Sequence, residues 1–361
     1  MAEFPLVPFW SILSFINDSS EISTSGVRLE DIEPWSGKLI AGIDTPNSFT
    51  GTPYRECDVL FGKLRPYLAK SWLATSNGVA VGDIHVYRPK SCITEPRFLA
   101  YIVRTPQFIS FADGSSEGAK MPRCEWNKLR QFPTPFPDLD TQRRIADYLD
   151  SETAQIDALM AELDEYVELL ENRKTILVES IIKTTRFELV PMFSLGSIQS
   201  GEVISRHDIT ATGNIPVFGG NGLRGYCLSA NQDVDKVLIG RQGALCGNIH
   251  LARAPFFASE HALVFTPKVD VCVEWMEHIL RYMRLGSLSQ AAAQPGINGG
   301  DVIRQRVPYV PLDKQKEIAQ KITKEHALTD TIINECRELK DLLLKRRQVL
   351  ISDVVTGKVE V

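Results

Sequence analysis

The chain has 361 residues and a net charge of −5 at neutral pH. That length supports two or three domains with full hydrophobic cores, and the negative balance excludes a uniformly basic nucleic-acid binder, so any phosphate-contacting surface must be local. No apolar run reaches the roughly 18 residues of a membrane span, the start MAEFPLVPFW lacks the features of a secretion signal, and seven scattered cysteines without a C-x-x-C pair point to reduced thiols in a cytoplasm.

Residues 1–140 read as a first module of mixed α/β type. DVLFGKL (58–64) and HVYRP (85–89) have strand length and composition, and EPRFLAYIVRT (95–105) has helical spacing. No acidic residue lies between Asp58 and Asp83, where Lys63, Arg65 and Lys70 fall; GAKMPRCEWNKLR (118–130) adds Lys120, Arg123, Lys128 and Arg130 against Glu125 alone.

Residues 141–186 read as one long helix with Asp140 as its N-cap. Its heptad seam is Ile145, Leu149, Ile156, Leu159, Leu163, Tyr166, Leu170 and Leu177, interrupted by Glu152 and Arg173. At 1.5 Å per residue such a helix is roughly 65 Å long and needs a partner helix.

Residues 187–313 read as a second module related to the first. FELVPMFS (187–194) repeats FPLVPFWS (4–11) at a shift of 187 − 4 = 183, and VLIGR (237–241) repeats VLFGK (59–63) at 237 − 59 = 178. Pro267-Lys268 answers Pro89-Lys90 at 178, and Pro295 answers Pro122 at 173. ALVFTP (262–267) reads as a strand, VEWMEHILRYMR (273–284) as a helix and VFGGNGLRG (217–225) as a loop, which lacks the lysine of a phosphate-binding P-loop. A second acid-free window, Asp235 to Glu260, holds Lys236, Arg241 and Arg253.

Residues 314–361 read as a second long helix with a tail. Its seam is Ile318, Ile322, Thr329, Ile332, Cys336, Leu339, Leu343 and Leu350, interrupted by Glu325 and Arg346, each position 173 beyond its counterpart in the first helix. Asp313 answers Asp140 and Gln315 answers Gln142 at the same shift. An unbroken register of this length marks an internal repeat. Antiparallel pairing sets Glu152 opposite Arg346 and Arg173 opposite Glu325, both sums being 498, and brings Val361 back near the start of the chain. The first helix (141–186) carries 6 basic and 10 acidic residues and the second stretch (314–361) 10 and 8, so opposite net signs favour pairing with each other. The fold expected is α/β (α+β): two modules, an antiparallel two-helix coiled coil and a pseudo-twofold axis.

Catalytic patterns are missing. His85, His207, His250, His261, His278 and His326 show no metal-ligand spacing, and His85 and His261, in or beside apolar strands, read as structural. There is no G-x-S-x-G, H-E-x-x-H or Walker sequence, and no Asp-Pro-Pro-Tyr or Asn-Pro-Pro-Tyr motif for base methylation. No catalytic or metal-binding residue is assigned. The basic windows suit phosphates, and Arg, Lys and Gln suit base edges in the major groove.

Several motifs together carry a resemblance: IPVFGGNGLRGY (215–226), VLIGRQGALCGNI (237–249), ASEHALVF (258–265), QPGINGGDV (294–302), and the proline-rich leads PFPDLDTQRRIADYL (135–149) and PYVPLDKQKEIAQKI (308–322). With these the chain resembles the specificity (S) subunits of type I restriction–modification systems over essentially its full length. The first module departs from the pattern, with FGKLRPYLAK (61–70) where the second has IGRQGALCG (239–247). The resemblance implies two target-recognition domains, each reading one half of a split site in double-stranded DNA, and two spacer helices that fix the gap. It also implies two copies of an adenine methyltransferase (M) subunit docked on the helices, and a motor/nuclease restriction (R) subunit. S-adenosylmethionine, ATP and Mg²⁺ then belong to those partners, and this chain is not itself an enzyme. The DNA-contacting candidates are Lys63, Arg65, Lys120 and Arg123 in the first module and Arg224, Arg241, Gln242 and Asn298 in the second. The other readings are a specificity subunit of another restriction enzyme class and a coiled-coil scaffold that binds no DNA.

Overall fold

The computed structural model describes residues 4–17, 21–23, 25–40, 48–118, 120–243, 245–289 and 295–361. Gln294 of the QPGINGGDV motif, Ala119 and Ala244 lie outside the described residues. The chain divides into two compact units, 1–164 with 337–361, and 165–336. Each unit holds one module and parts of both long helices.

The units share one plan. In the first, a four-stranded antiparallel sheet runs in the order 13–16, 84–89, 59–62, 71–73; in the second the order 196–200, 262–267, 236–240, 249–252 is the same. The apolar runs VLFG and KVLIG are central strands, buried along almost their whole length, as their lack of alternation requires. A helix packs on each sheet, Pro96–Ile102 in one and Val273–Tyr282 in the other. A short antiparallel ribbon leads into each long helix, Leu6–Pro8 with Pro133–Pro135 and Glu188–Pro191 with Arg306–Tyr309. The outer sheets differ. The first unit adds four short strands, and the second adds a hairpin, Ile215–Gly219 with Gly222–Cys227, plus Phe257–Ala258. The segment 217–225, expected as a loop, is therefore a hairpin. Gly222 has φ +89 beside the turn, so glycine there serves a tight reversal rather than an open loop.

The long helices span Leu139–Thr184 and Leu312–Val355. The first is capped by Asp138, not Asp140: the Asp138 carboxylate accepts the Thr141 N–H at 3.0 Å and the Thr141 hydroxyl at 2.7 Å. Within each unit the helix segments run antiparallel and join the module's core. Ile145 and Leu149 share a cluster with Ile351, Val354 and Val355. Val178 and Ile182 share one with Ile318, Ala319 and Ile322. Phe4 and Val361 pack on the first of these clusters, which matches the expected return of the chain.

The seam sits one residue later than expected over part of its length. Thr153 is buried and Met160 and Val167 half-buried, whereas Leu159 and Tyr166 are 40% and 46% exposed. From Ile145 to Ile182 the buried stripe takes ten steps over 37 residues, 182 − 145, or 3.7 per step. That is nearer the 3.6 of a straight helix than the 3.5 of a strict heptad. The facing pairs move with it. His326 Nε2 meets the Lys174 carbonyl at 3.3 Å, a sum of 500 rather than 498. Glu152, Arg173, Glu325 and Arg346 form no ion pair among the described residues. The polar seam positions are Lys174 and Arg347, 173 apart, bound to Asp330 (2.6 Å) and Asp157 (3.4 Å), which are also 173 apart.

The repeated glutamines tie each long helix to its module. Gln142 is fully buried; its amide donates to the carbonyls of Pro137 (2.8 Å) and Ile93 (3.0 Å), and its oxygen accepts the Glu95 N–H at 3.0 Å. Gln315, also fully buried, donates to Val310 (2.8 Å) and accepts from the Cys272 N–H at 2.9 Å. Both acceptors satisfy an orphan N–H at the start of the module's helix. Gln315→Met is expected to lower unfolding stability by about 1–3 kcal/mol by stranding these groups. Urea titration followed by circular dichroism checks this; an unchanged midpoint would contradict it.

Candidate functional site

In the first unit the stretch after the central strand pairs with a second loop. Arg65 N–H donates to the Pro122 carbonyl at 2.8 Å, and Cys124 N–H to the Lys63 carbonyl at 3.0 Å. Lys63 N–H donates to the Asp83 carbonyl at 2.9 Å. These bonds gather two of the four candidates, Lys63 and Arg123, around the Asp83 carboxylate, with Arg65 on the same loop pair. Arg123 reaches the Asp83 carboxylate at 3.0 Å and Lys63 reaches the same carboxylate at 3.9 Å, while Arg65 is exposed and carries φ +52. Lys120 is exposed in the turn between Glu117 and Arg123, whose backbones bond each other twice at 3.0 Å.

The second unit builds the same place from the repeat. Arg241, 178 beyond Lys63, donates its N–H to the His261 carbonyl at 2.9 Å, and His261 is 178 beyond Asp83. Ile297 N–H donates to the Arg241 carbonyl at 2.9 Å and Gly243 N–H to that of Pro295 at 3.0 Å, as the 122–124 loop does in the first unit. The hairpin turn closes on the same spot. A Cβ on Gly240 would lie 2.1 Å from the Gly220 carbonyl oxygen, so only glycine allows this approach. The Arg241 guanidinium touches Ser200 Oγ (3.2 Å) and the Glu260 carbonyl (3.5 Å), and Arg224 reaches Ser259 Oγ at 3.3 Å. Gln242 is exposed beside them. Asn298 sits on the paired loop, but its side chain has a local task. It caps the short helix Gly299–Ile303, accepting the Asp301 N–H at 2.8 Å.

Seven of the eight candidates thus fall on the two equivalent loop pairs or the turn beside them, and Arg224 falls on the hairpin that the second unit alone adds. The acid-free windows are not uniformly open basic surfaces, because long-range partners engage several of their cations, with carboxylates for Lys63 and Arg253 and neutral acceptors for Lys70 and Lys236. Lys70 is spent on the Leu29 carbonyl (2.9 Å), Lys236 on Thr266 (3.2 Å), and Arg253 on Asp235 and Glu274 (2.6 and 2.8 Å). Asp83 and His261 were missed as site residues. The shift of 178 that links Lys63 to Arg241 would have found them. His261 stands half-exposed beside Glu260, 3.1 Å away. His85 is structural: it is buried, its ring contacts the Tyr87 hydroxyl at 3.0 Å, and burial pushes its pKa down to about 3. No group of three or more metal-binding side chains converges among the described residues, and no helix there is long and apolar enough to cross a membrane.

The chain matches the family described as type I restriction modification DNA specificity domain over residues 72–169 and 186–340, one match in each half. It is 35% identical over 151 residues to the type I restriction enzyme EcoprrI specificity subunit of Escherichia coli, an alignment covering 40% of this chain and 38% of that one. To the EcoDI specificity subunit of the same organism it is 26% identical over 163 residues, covering 44% and 35%. The chain therefore spans little more than a third of the length of these curated relatives. Its fold is that of a chain from a structure of complex assembly and conformational transition of the type I R-M system, with a TM-score of 0.81 at 17% identity and 99% of both chains covered. The HsdS subunit from Thermoanaerobacter tengcongensis superposes with a TM-score of 0.56 at 16% identity, covering 99% of this chain and 98% of that one.

Proposed function

The chain belongs to the family of type I restriction–modification DNA specificity domains, and from that premise we propose that it is the DNA-reading, non-catalytic subunit of such a complex. Each unit reads one half of a bipartite site in double-stranded DNA. The long helices set the gap and dock two methyltransferase subunits, with a restriction/motor subunit joining them. S-adenosylmethionine, ATP and Mg²⁺ are used by those partners, in the cytoplasm.

One observation carries the reading: a single loop pair occurs twice on one backbone plan with different side chains. The first copy presents Lys63, Arg123, Arg65 and Asp83, and the second Arg241, Gln242, Arg224 and His261. Repeated geometry with changed chemistry is what two readers of different sequences require. Arg and Lys suit guanine O6 and N7, Gln suits adenine N6 and N7, and Asp accepts from cytosine N4. Lys120 at its turn tip suits a phosphate, which positions without specifying. A modest net charge fits a chain whose partners also hold the duplex.

The test is dependence. Methyltransferase alone is expected to transfer methyl groups to adenine at background rate, and adding this chain to raise transfer at defined sites at least about a hundredfold. Transfer indifferent to the chain would contradict the proposal.

A further inference from the structure

The repeat exposes a difference between the two units beside the long helices. In the first unit a strap, residues 35–38, lies against them. Arg347 donates to the carbonyls of Trp35 (2.9 Å) and Ser36 (3.0 Å), Arg104 donates to that of Ser36 (3.0 Å), and Lys38 pairs with Asp157 at 2.7 Å. Gly37 has φ +79, and a Cβ there would meet the Arg104 guanidinium at 2.2 Å. Tyr101 beneath is satisfied by Asp150 at 2.6 Å.

The second unit repeats the receptor without the strap. Lys174 stands for Arg347 and Asp330 for Asp157 at 173; Arg281 stands for Arg104 and His278 for Tyr101 at 177. The second half is five residues shorter between its matched points, 183 − 178. A groove of about 510 Å³ remains, lined by Lys174, His278, Arg281, Thr323, Ala327 and Asp330. Asp330 is 53% exposed where Asp157 is 19%, and Lys174 is 21% exposed where Arg347 is 6%. His278 is only 7% exposed, yet its buried Nε2 has no hydrogen-bond partner among the described residues, because Thr323 stands where Asp150 satisfies Tyr101.

We propose that this groove receives an extended segment of a partner subunit that does what the strap does in the first unit. That segment offers backbone carbonyls to Lys174 and Arg281, a lysine or arginine to Asp330, and a polar group to His278. The two ends of the chain thereby differ in how they hold a partner, one groove being self-filled and the other open. The inference rests on the proposed function, since it takes the occupant from the methyltransferase that the chain recruits.

The experiment places a photo-crosslinking benzoylphenylalanine at Ala327, on the exposed groove wall, in the full chain co-expressed with its methyltransferase. The expected product is a crosslink to the methyltransferase, mapped by mass spectrometry to a segment containing a lysine or arginine. The same probe at Ala154, the equivalent wall of the first unit, is expected to crosslink to the chain's own residues 35–38. Ala327→Trp, which fills the groove from outside, is expected to weaken complex assembly at least tenfold. Assembly of an active complex in which position 327 crosslinks to nothing, to this chain, to a second copy or to DNA overturns the inference and leaves the proposed function standing. Absence of any complex with the methyltransferase overturns both.

Discussion

Arg241→Ala is expected to relax the recognition sequence at one base position of one half-site and leave the other half-site unchanged. The guanidinium is held by Ser200 Oγ and the Glu260 carbonyl, both neutral acceptors, so it keeps its charge and its remaining donors for a base edge. Lys63, its counterpart, shares the Asp83 carboxylate with Arg123 and is more fully neutralised. Loss of one bidentate contact to guanine costs about 1–3 kcal/mol of discrimination. At 1.4 kcal/mol per tenfold, that is roughly a 5- to 150-fold rise in methylation of the sites differing at that position. Long-read maps of methyl-adenine from cells carrying wild-type or variant chain give the measurement. An unaltered motif, or a uniform fall in methylation with no change in sequence, would assign Arg241 to the backbone or to folding instead.

The second large effect concerns the helices. Seven residues inserted after Asp164 and seven after Cys336, positions whose numbers sum to the 500 of the observed pairing, extend both strands of the pair in register. The added length is about 10.5 Å, close to three base pairs, and roughly a third of a duplex turn. The readers then meet their half-sites out of phase unless the DNA untwists, which costs several kcal/mol. Methylation at the original sites is expected to fall at least about a hundredfold, and residual specific methylation to carry a gap three base pairs longer. A complex that folds and methylates with the original gap would remove the helices from the role of spacer.

How far the sequence was legible follows from what kind of signal each part leaves. The central strands, module helices and long helices were readable because their apolar patterns are local and recur at fixed shifts. Gln142 and Gln315 could be matched, but their burial could not, since a buried amide leaves no trace in hydrophobic spacing. The seam phase slipped by one residue where Thr153, Met160 and Val167 displaced Glu152, Leu159 and Tyr166. A stripe read at heptad period drifts against a real helix. The candidate recognition residues of the two units fall on equivalent loops, but their side-chain partners were not foreseen. Asp83 lies 20 residues beyond Lys63 and 40 before Arg123, and only the fold brings the three together. The hairpin at 217–225 was hidden because glycine and asparagine mark tight turns and open loops alike.

The most direct measurement is the methyl-adenine map of a strain that expresses this chain with its methyltransferase and is otherwise free of adenine methylation. Two readers on one chain predict a motif of two specified blocks, different in sequence, separated by a constant run of unspecified bases. A single continuous motif, a gap that varies from site to site, or two blocks of identical sequence would contradict the account.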